Sequence, residues 1–197
     1  MNWLEATAVA FGIASVYLSV RQNIWSWPTA VVNVALYFLV FRDAKLYADM
    51  GLQLVYLVLS LYGWYEWLYG GENRSVLKVS RATPRMTAYL VAIAIVSVAV
   101  LGTFLARSTD AALPYMDSTT TSTSLVAQWM MTRKVLENWA VWMAVDVAYV
   151  GMFIYKALYL TAGLYAVFFA LAAMGYAQWK RSYLADHPSG TAVPASA

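Results

Sequence analysis

Apolar positions along the chain gather into seven long runs separated by short polar stretches. A helix that crosses the hydrocarbon core of a bilayer needs about 20 mostly apolar residues. Met86–Ala106 meets that need best, with no charge and nothing more polar than Thr87, Ser97 and Thr103. The pattern predicts further spans at Trp3–Val20, Trp27–Phe41, Tyr47–Tyr69, Tyr115–Thr132, Asn138–Tyr155 and Ala157–Trp179. Trp27–Phe41 is short and is expected to begin earlier, near Ile24, with Pro28 tolerated in its first turns. Tyr115–Thr132 is the most polar, because of Asp117 and the run Ser118–Ser124. The first run does not read as a secretory signal: a signal opens with basic residues, and Arg21 follows the run. Residues 1–184 are read as one transmembrane domain. Residues 185–197, with Pro188, Gly190 and Pro194, are read as a disordered cytoplasmic tail.

The runs repeat. Laying Ala44–Trp67 over Lys156–Trp179, a shift of 112, gives eight identities in twenty-four positions, among them Tyr47/Tyr159, Gly51/Gly163, Gly63/Gly175 and Trp67/Trp179. Upstream, a shift of 115 pairs Asn23 with Asn138 and Trp27 with Trp142. The expected fold class is an all-α integral membrane protein of seven helices in a 3+1+3 arrangement. One three-helix unit covers about 1–70, a linker helix about 85–107, and the second unit about 115–180. One intervening helix makes the units parallel, a plan that puts a transporter's substrate site between the halves near mid-membrane.

Polar groups at bilayer depth are expensive and tend to face the bundle interior. At 3.6 residues per turn, Asp49, Gln53, Tyr56, Ser60, Trp64 and Trp67 share one stripe of the third helix. Asn138, Trp142, Asp146 and Tyr149 do so on the sixth, with Trp139 at the edge. The fifth aligns Asp117, Thr121, Ser124 and Gln128, and the second aligns Thr29, Asn33 and Tyr37. These stripes predict a polar, partly aromatic cavity. Trp faces attract cations, and an intramembrane Asp offers a charge or a partner for hydroxyls. The pattern therefore favours a flat, cationic or electron-poor ring attached to a hydroxyl-rich group. Trp3, Trp25, Trp67 and Trp179, at helix ends, are expected to be interface anchors.

Composition agrees. The chain of 197 residues is 62% hydrophobic and 12% charged, against roughly 45–50% and 25% for soluble domains. So little charge cannot clothe a soluble globule, which excludes a soluble enzyme and a nucleic-acid binder. With no cysteine and only His187, no metal site and no cofactor are expected. No Walker motif or phosphate-cradling glycine loop is present, so a phosphorylated substrate is disfavoured. One side of the helices carries Arg21, Arg74, Lys78, Arg81, Arg85, Arg133, Lys134, Lys180 and Arg181; the other carries Arg42, Lys45, Arg107 and Lys156. The positive-inside rule then sets the N-terminus outside and the C-terminus in the cytoplasm.

The run Arg133–Trp142, RKVLENWAVW, resembles the RK-x-x-ENW-x-x-W signature of the PnuC vitamin transporters. Leu46-Tyr47-Ala48, Leu52-Gln53, Leu61-Tyr62-Gly63-Trp64-Tyr65 and Tyr115-Met116-Asp117-Ser118 are similar to further patterns of that family. The likeness runs to about Lys180. It implies a fold akin to the SWEET sugar carriers and a homotrimer in the bacterial inner membrane. It also implies uptake of nicotinamide riboside by facilitated diffusion, made one-way by a cytoplasmic kinase. The site residues it implies are Asn138, Trp139, Trp142, Gln53 and Asn33. Asp146 departs from the family pattern, in which some riboside carriers have Asn. Asp117, Gln128, Tyr56, Tyr149 and Asp49 are candidate pathway residues from the stripes. Relatives carrying thiamine or riboflavin leave the vitamin open, and the intramembrane acids leave proton coupling open. Competing classes are a membrane protease using Asp117 with Asp146, or a structural membrane subunit whose polar core is mutually satisfied.

Overall fold

The computed structural model describes residues 3–43, 47–108, 113–155, 157 and 159–187. Among them are seven α-helices: α1 (Trp3–Val20), α2 (Ser26–Asp43), α3 (Tyr47–Tyr69), α4 (Pro84–Ser108), α5 (Pro114–Thr132), α6 (Asn138–Tyr155) and α7 (Tyr159–Asp186). Each matches one predicted run. The largest difference is α7, which continues a further two turns beyond Trp179, so residues 185 and 186 are helical. His187 stacks on Tyr183 just beyond, and the rest of the predicted tail lies outside the described residues. Three stretches, Trp3–Val20, Pro84–Ser108 and Thr161–Asp186, are long and apolar enough to cross a membrane by themselves. The most apolar, α4, leaves Tyr89, Val91, Ile93, Ile95, Val96, Val100 and Phe104 more than half exposed. Such a face suits lipid rather than water.

The 112-residue shift holds across the described helices of both units without a gap. It carries the bounds of α2 onto those of α6, and the start of α3 onto that of α7. The loops repeat too. After α1, Gln22 adopts φ 52°, and after α5, Lys134 adopts φ 50°. Around them the amide of Asn23 bonds the carbonyl of Leu18, and that of Val135 bonds Met130. These are left-handed helix caps, a position that usually selects glycine. A side chain there costs about 1–2 kcal/mol, and each is used. Gln22 Nε2 donates to Ser182 Oγ at 2.8 Å, and Lys134 Nζ donates to the Leu77 carbonyl at 2.9 Å. The shift of 115 read for the second and sixth helices is thereby corrected: the structural partner of Trp27 is Trp139.

Where the units meet, the contacts exchange. Trp67 Nε1 donates to the Met131 carbonyl at 3.1 Å, and Trp179 Nε1 donates to the Ser19 carbonyl at 3.0 Å. Each indole of one unit thus caps a helix end of the other. Trp27 meets Trp67 edge-on at 5.3 Å, Trp139 meets Trp179 edge-on at 5.3 Å, and Trp67 meets Trp179 at 5.8 Å. Pairs of this kind contribute about 0.5–1.5 kcal/mol beyond area burial. The Trp27 ring packs against Gly63 and that of Trp139 against Gly175, where any Cβ would overlap the indole. Trp67 and Trp179 are therefore core residues, at 2% and 0% exposure, not the interface anchors their helix-end positions suggested. Trp3 and Trp25 are exposed.

The connection from α3 to α4 folds back over this indole layer. Ser80 pairs with Val135 in a parallel bridge, its amide bonding Lys134 and its carbonyl accepting from Leu136. Val79 is buried in the same apolar cluster as the four indoles. Glu137 fixes the end of the strap by accepting from Arg81 and from the Ala82 amide, both at 2.8 Å. The end of the bundle rich in Arg and Lys is thus sealed by tryptophan, an extended strap and ion pairs, including Arg133 with Glu66 at 2.8 Å.

Candidate functional site

Below that seal lies a cavity of about 440 Å³. It takes residues from α1, α2, α3, α5, α6 and α7, leaving α4 outside. Its closed end is formed by Ser26, Trp27, Trp139 and Met131, and its other end reaches Phe41 and the exposed Asp49. Between them, α3 contributes Gln53, Tyr56 and Ser60; α5 contributes Ser124 and Gln128; α6 contributes Trp142, Asp146 and Tyr149. No Lys, Arg or His lines it among the described residues. The walls offer ring faces, hydroxyls, amides and two carboxylates. Such a lining binds an uncharged or cationic ligand that carries a ring and hydroxyls, and gives a phosphate no counter-charge.

Of the candidate site and pathway residues, all line this cavity except Asn138 and Asp117; of the other stripe residues, Trp64, Trp67 and Thr121 also lie outside the lining. Asn138 is wholly buried at the start of α6, where its Nδ2 donates to the Val135 carbonyl at 2.6 Å and its Oδ1 has no partner among the described residues. It ties the start of the helix that carries Trp139 and Trp142 back to the preceding loop. Asp117 is half-buried in the first turn of α5, away from the lining. Asn33 lines the wall, with its Nδ2 committed to the Ala8 carbonyl at 2.7 Å, leaving its oxygen for other partners. Thr29, from the same stripe, spends its hydroxyl on the carbonyls of Trp25 and Ser26 and is not part of the wall. Asp146 is 3% exposed. It has neither a hydrogen bond nor an ion pair among the described residues.

Comparison with known proteins identifies the family. Residues 2–181 match the family described as nicotinamide mononucleotide transporter. The chain belongs to that family. It is 26% identical to the nicotinamide riboside transporter PnuC of Escherichia coli K12, over 92% of this chain and 87% of that one. It is also 26% identical to the riboflavin/roseoflavin transporter RibM of Streptomyces davaonensis, over 90% and 84% respectively. A crystal structure of the vitamin B3 transporter PnuC superposes with a TM-score of 0.70 at 28% identity, covering 91% of this chain and 81% of that chain. The resemblance drawn from the helix-6 signature is borne out, and these relatives are transporters, not enzymes.

The cavity also contains residues that the polar stripes did not include. Trp27 and Ser26 close the same end as Trp139, and Tyr165 and Phe168 line the wall from α7. The signal for each was the repeat. A shift of 112 takes Trp27 to Trp139, Gln53 to Tyr165 and Tyr56 to Phe168. Tyr165 packs against Tyr149 at 4.5 Å with the rings tilted, and stacks on Phe153 at 5.3 Å, so Tyr149, Tyr165 and Phe168 give the wall an aromatic lining. Ser26 Oγ, Trp27 Nε1, Asn138 Oδ1 and Trp139 Nε1 are buried without partners among the described residues, and they too pair by the same shift.

Proposed function

We propose that this chain imports nicotinamide riboside across the bacterial inner membrane by facilitated diffusion, with cytoplasmic phosphorylation trapping the product. The proposal includes the 3+1+3, SWEET-like plan, with the N-terminus periplasmic and the C-terminus cytoplasmic. It also includes a homotrimer, as the family resemblance implies. Equivalent caps, indole pairs and exchanged Trp hydrogen bonds in the two units support the duplicated plan. Sequence identity does not choose the substrate, because the riboside and riboflavin relatives are equally similar.

The observation that carries the choice is the lining. Trp142 offers a ring beside the buried Trp139, Gln53 and Gln128 offer amides for ribose hydroxyls, and no basic residue faces the cavity among those described. A riboside finds partners for its ring and its sugar there. A mononucleotide would bring a phosphate into a wall that already holds carboxylates, at a cost no partner offsets. Calorimetric titration of the purified protein against nicotinamide riboside, its 5′-phosphate, thiamine and riboflavin tests this. Preferential binding of the riboside is expected. Tighter binding of the phosphate or of riboflavin would overturn it.

A further inference from the structure

Asp146 stands out among the cavity residues because nothing in the fold calls for a carboxylate there. The shift that relates the two units pairs it with Val34, a buried apolar residue at the equivalent depth of α2. The packing of this helix position is thus met by a side chain of similar size with no charge. A carboxylate that is 3% exposed, with no hydrogen bond and no ion pair among the described residues, is costly to keep ionised, a cost that a proton or an arriving counter-charge relieves. No Lys, Arg or His of the cavity wall provides one among the described residues. The phenols of Tyr149 and Tyr165, which line the same cavity, carry no positive charge. Trp142 stands one turn away on the same face of α6, and Trp139 one turn further, so ring faces and carboxylate converge on one volume. Indole faces also prefer a cation. Asp49 at the mouth adds a second negative charge along the path inward.

We infer that Asp146 is the counter-ion that makes this cavity select a permanently cationic heterocycle over an uncharged one of the same shape. The inference rests on the riboside reading and adds the residue that decides charge. Nicotinamide riboside carries a pyridinium cation. Its 1,4-dihydropyridine form keeps the amide and the ribose but has no charge. The pair therefore isolates charge from shape and from hydroxyl hydrogen bonding.

The test is calorimetric titration of the full-length protein in detergent with both forms, in wild type, Asp146→Asn and Asp146→Glu. Wild type is expected to bind the cation at least about tenfold more tightly than the dihydro form. Asp146→Asn should lose that preference while still binding the dihydro form within about twofold of wild type, which also shows that the variant is folded. Asp146→Glu should keep the preference. Equal binding of the two forms by wild type overturns the inference while leaving the riboside reading intact. Parallel loss of both ligands in Asp146→Asn, with both retained in Asp146→Glu, also overturns it, since the carboxylate would then serve as a hydrogen-bond acceptor. Binding of neither form by wild type overturns the riboside reading and the inference together.

Discussion

Lys134 shows how one residue carries several demands at once. Its backbone turns the chain out of α5 in a conformation that favours glycine, and its amine lies 4.5 Å over the Trp67 ring while bonding the Leu77 carbonyl. Lys134 is 4% exposed, and burial pushes its amine from 10.5 down to about 8, with Asp186 opposing in part. The folded chain therefore holds this proton less tightly than the unfolded chain. The cost of burying the charge is present in full below about pH 8 and fades as pH rises toward 10.5. Thermal unfolding in detergent should accordingly show stability rising across that window in wild type, and Lys134→Met should lack that component. Identical pH profiles for the two proteins would refute the assignment. The sequence showed Lys134 only as a loop charge that helps set orientation, because hydropathy cannot see a strap folding back over a loop. The cavity residues on α3 and α6 were more legible, since the bilayer makes each polar group at depth conspicuous. Asn138 shares the stripe of the cavity residues but lies outside the lining, because a helix-start amide can turn back to its own loop.

At the scale of elements, the indole layer is built from two copies of one contact, Trp27 on Gly63 and Trp139 on Gly175. Gly175→Ala should force the Trp139 ring out of its seat. Overpacking of this kind costs about 1–3 kcal/mol, and it should lower both the unfolding midpoint and the affinity for ligand. Gly63→Ala should act alike through Trp27. Stability and affinity unchanged in both variants would mean that the two indoles do not seat on these glycines. The duplication was visible in the sequence through its Gly and Trp identities, which apolar composition alone does not produce. Its register in the second and sixth helices was not, and the reason is helical. Trp139 and Trp142 are about one turn apart on neighbouring positions of one face, so Trp27 aligns plausibly with either, and only the caps and ring contacts choose Trp139. Trp67 and Trp179 misled for a related reason: a tryptophan at a helix end reads as an interface anchor until its indole is found capping a helix of the other unit.

For the whole molecule, the arrangement is a cavity reaching the exposed Asp49 at one end and closed at the basic end by indoles, strap and ion pairs. The strap is fixed partly by Glu137, which binds Arg81 and the Ala82 amide. Glu137→Ala should loosen that end, and hydrogen exchange at the Ser80 and Leu136 amides should quicken. Unaltered exchange would show that the bridge is held by Val79 burial alone. Membership in a transporter family followed from a short signature, and the cavity followed from the stripes. The strap and the sealed end had no counterpart in periodicity, because they depend on an irregular segment packing against loops. The central claim is passive carriage of nicotinamide riboside through this cavity, and labelled uptake into proteoliposomes tests it most directly. With no proton or sodium gradient imposed, wild type should show saturable uptake that a pH gradient does not stimulate. Trp142→Ala, inserted to the same level, should transport at least about tenfold more slowly. Wild-type uptake by Trp142→Ala, or uptake by wild type only when a pH gradient is applied, would contradict the account.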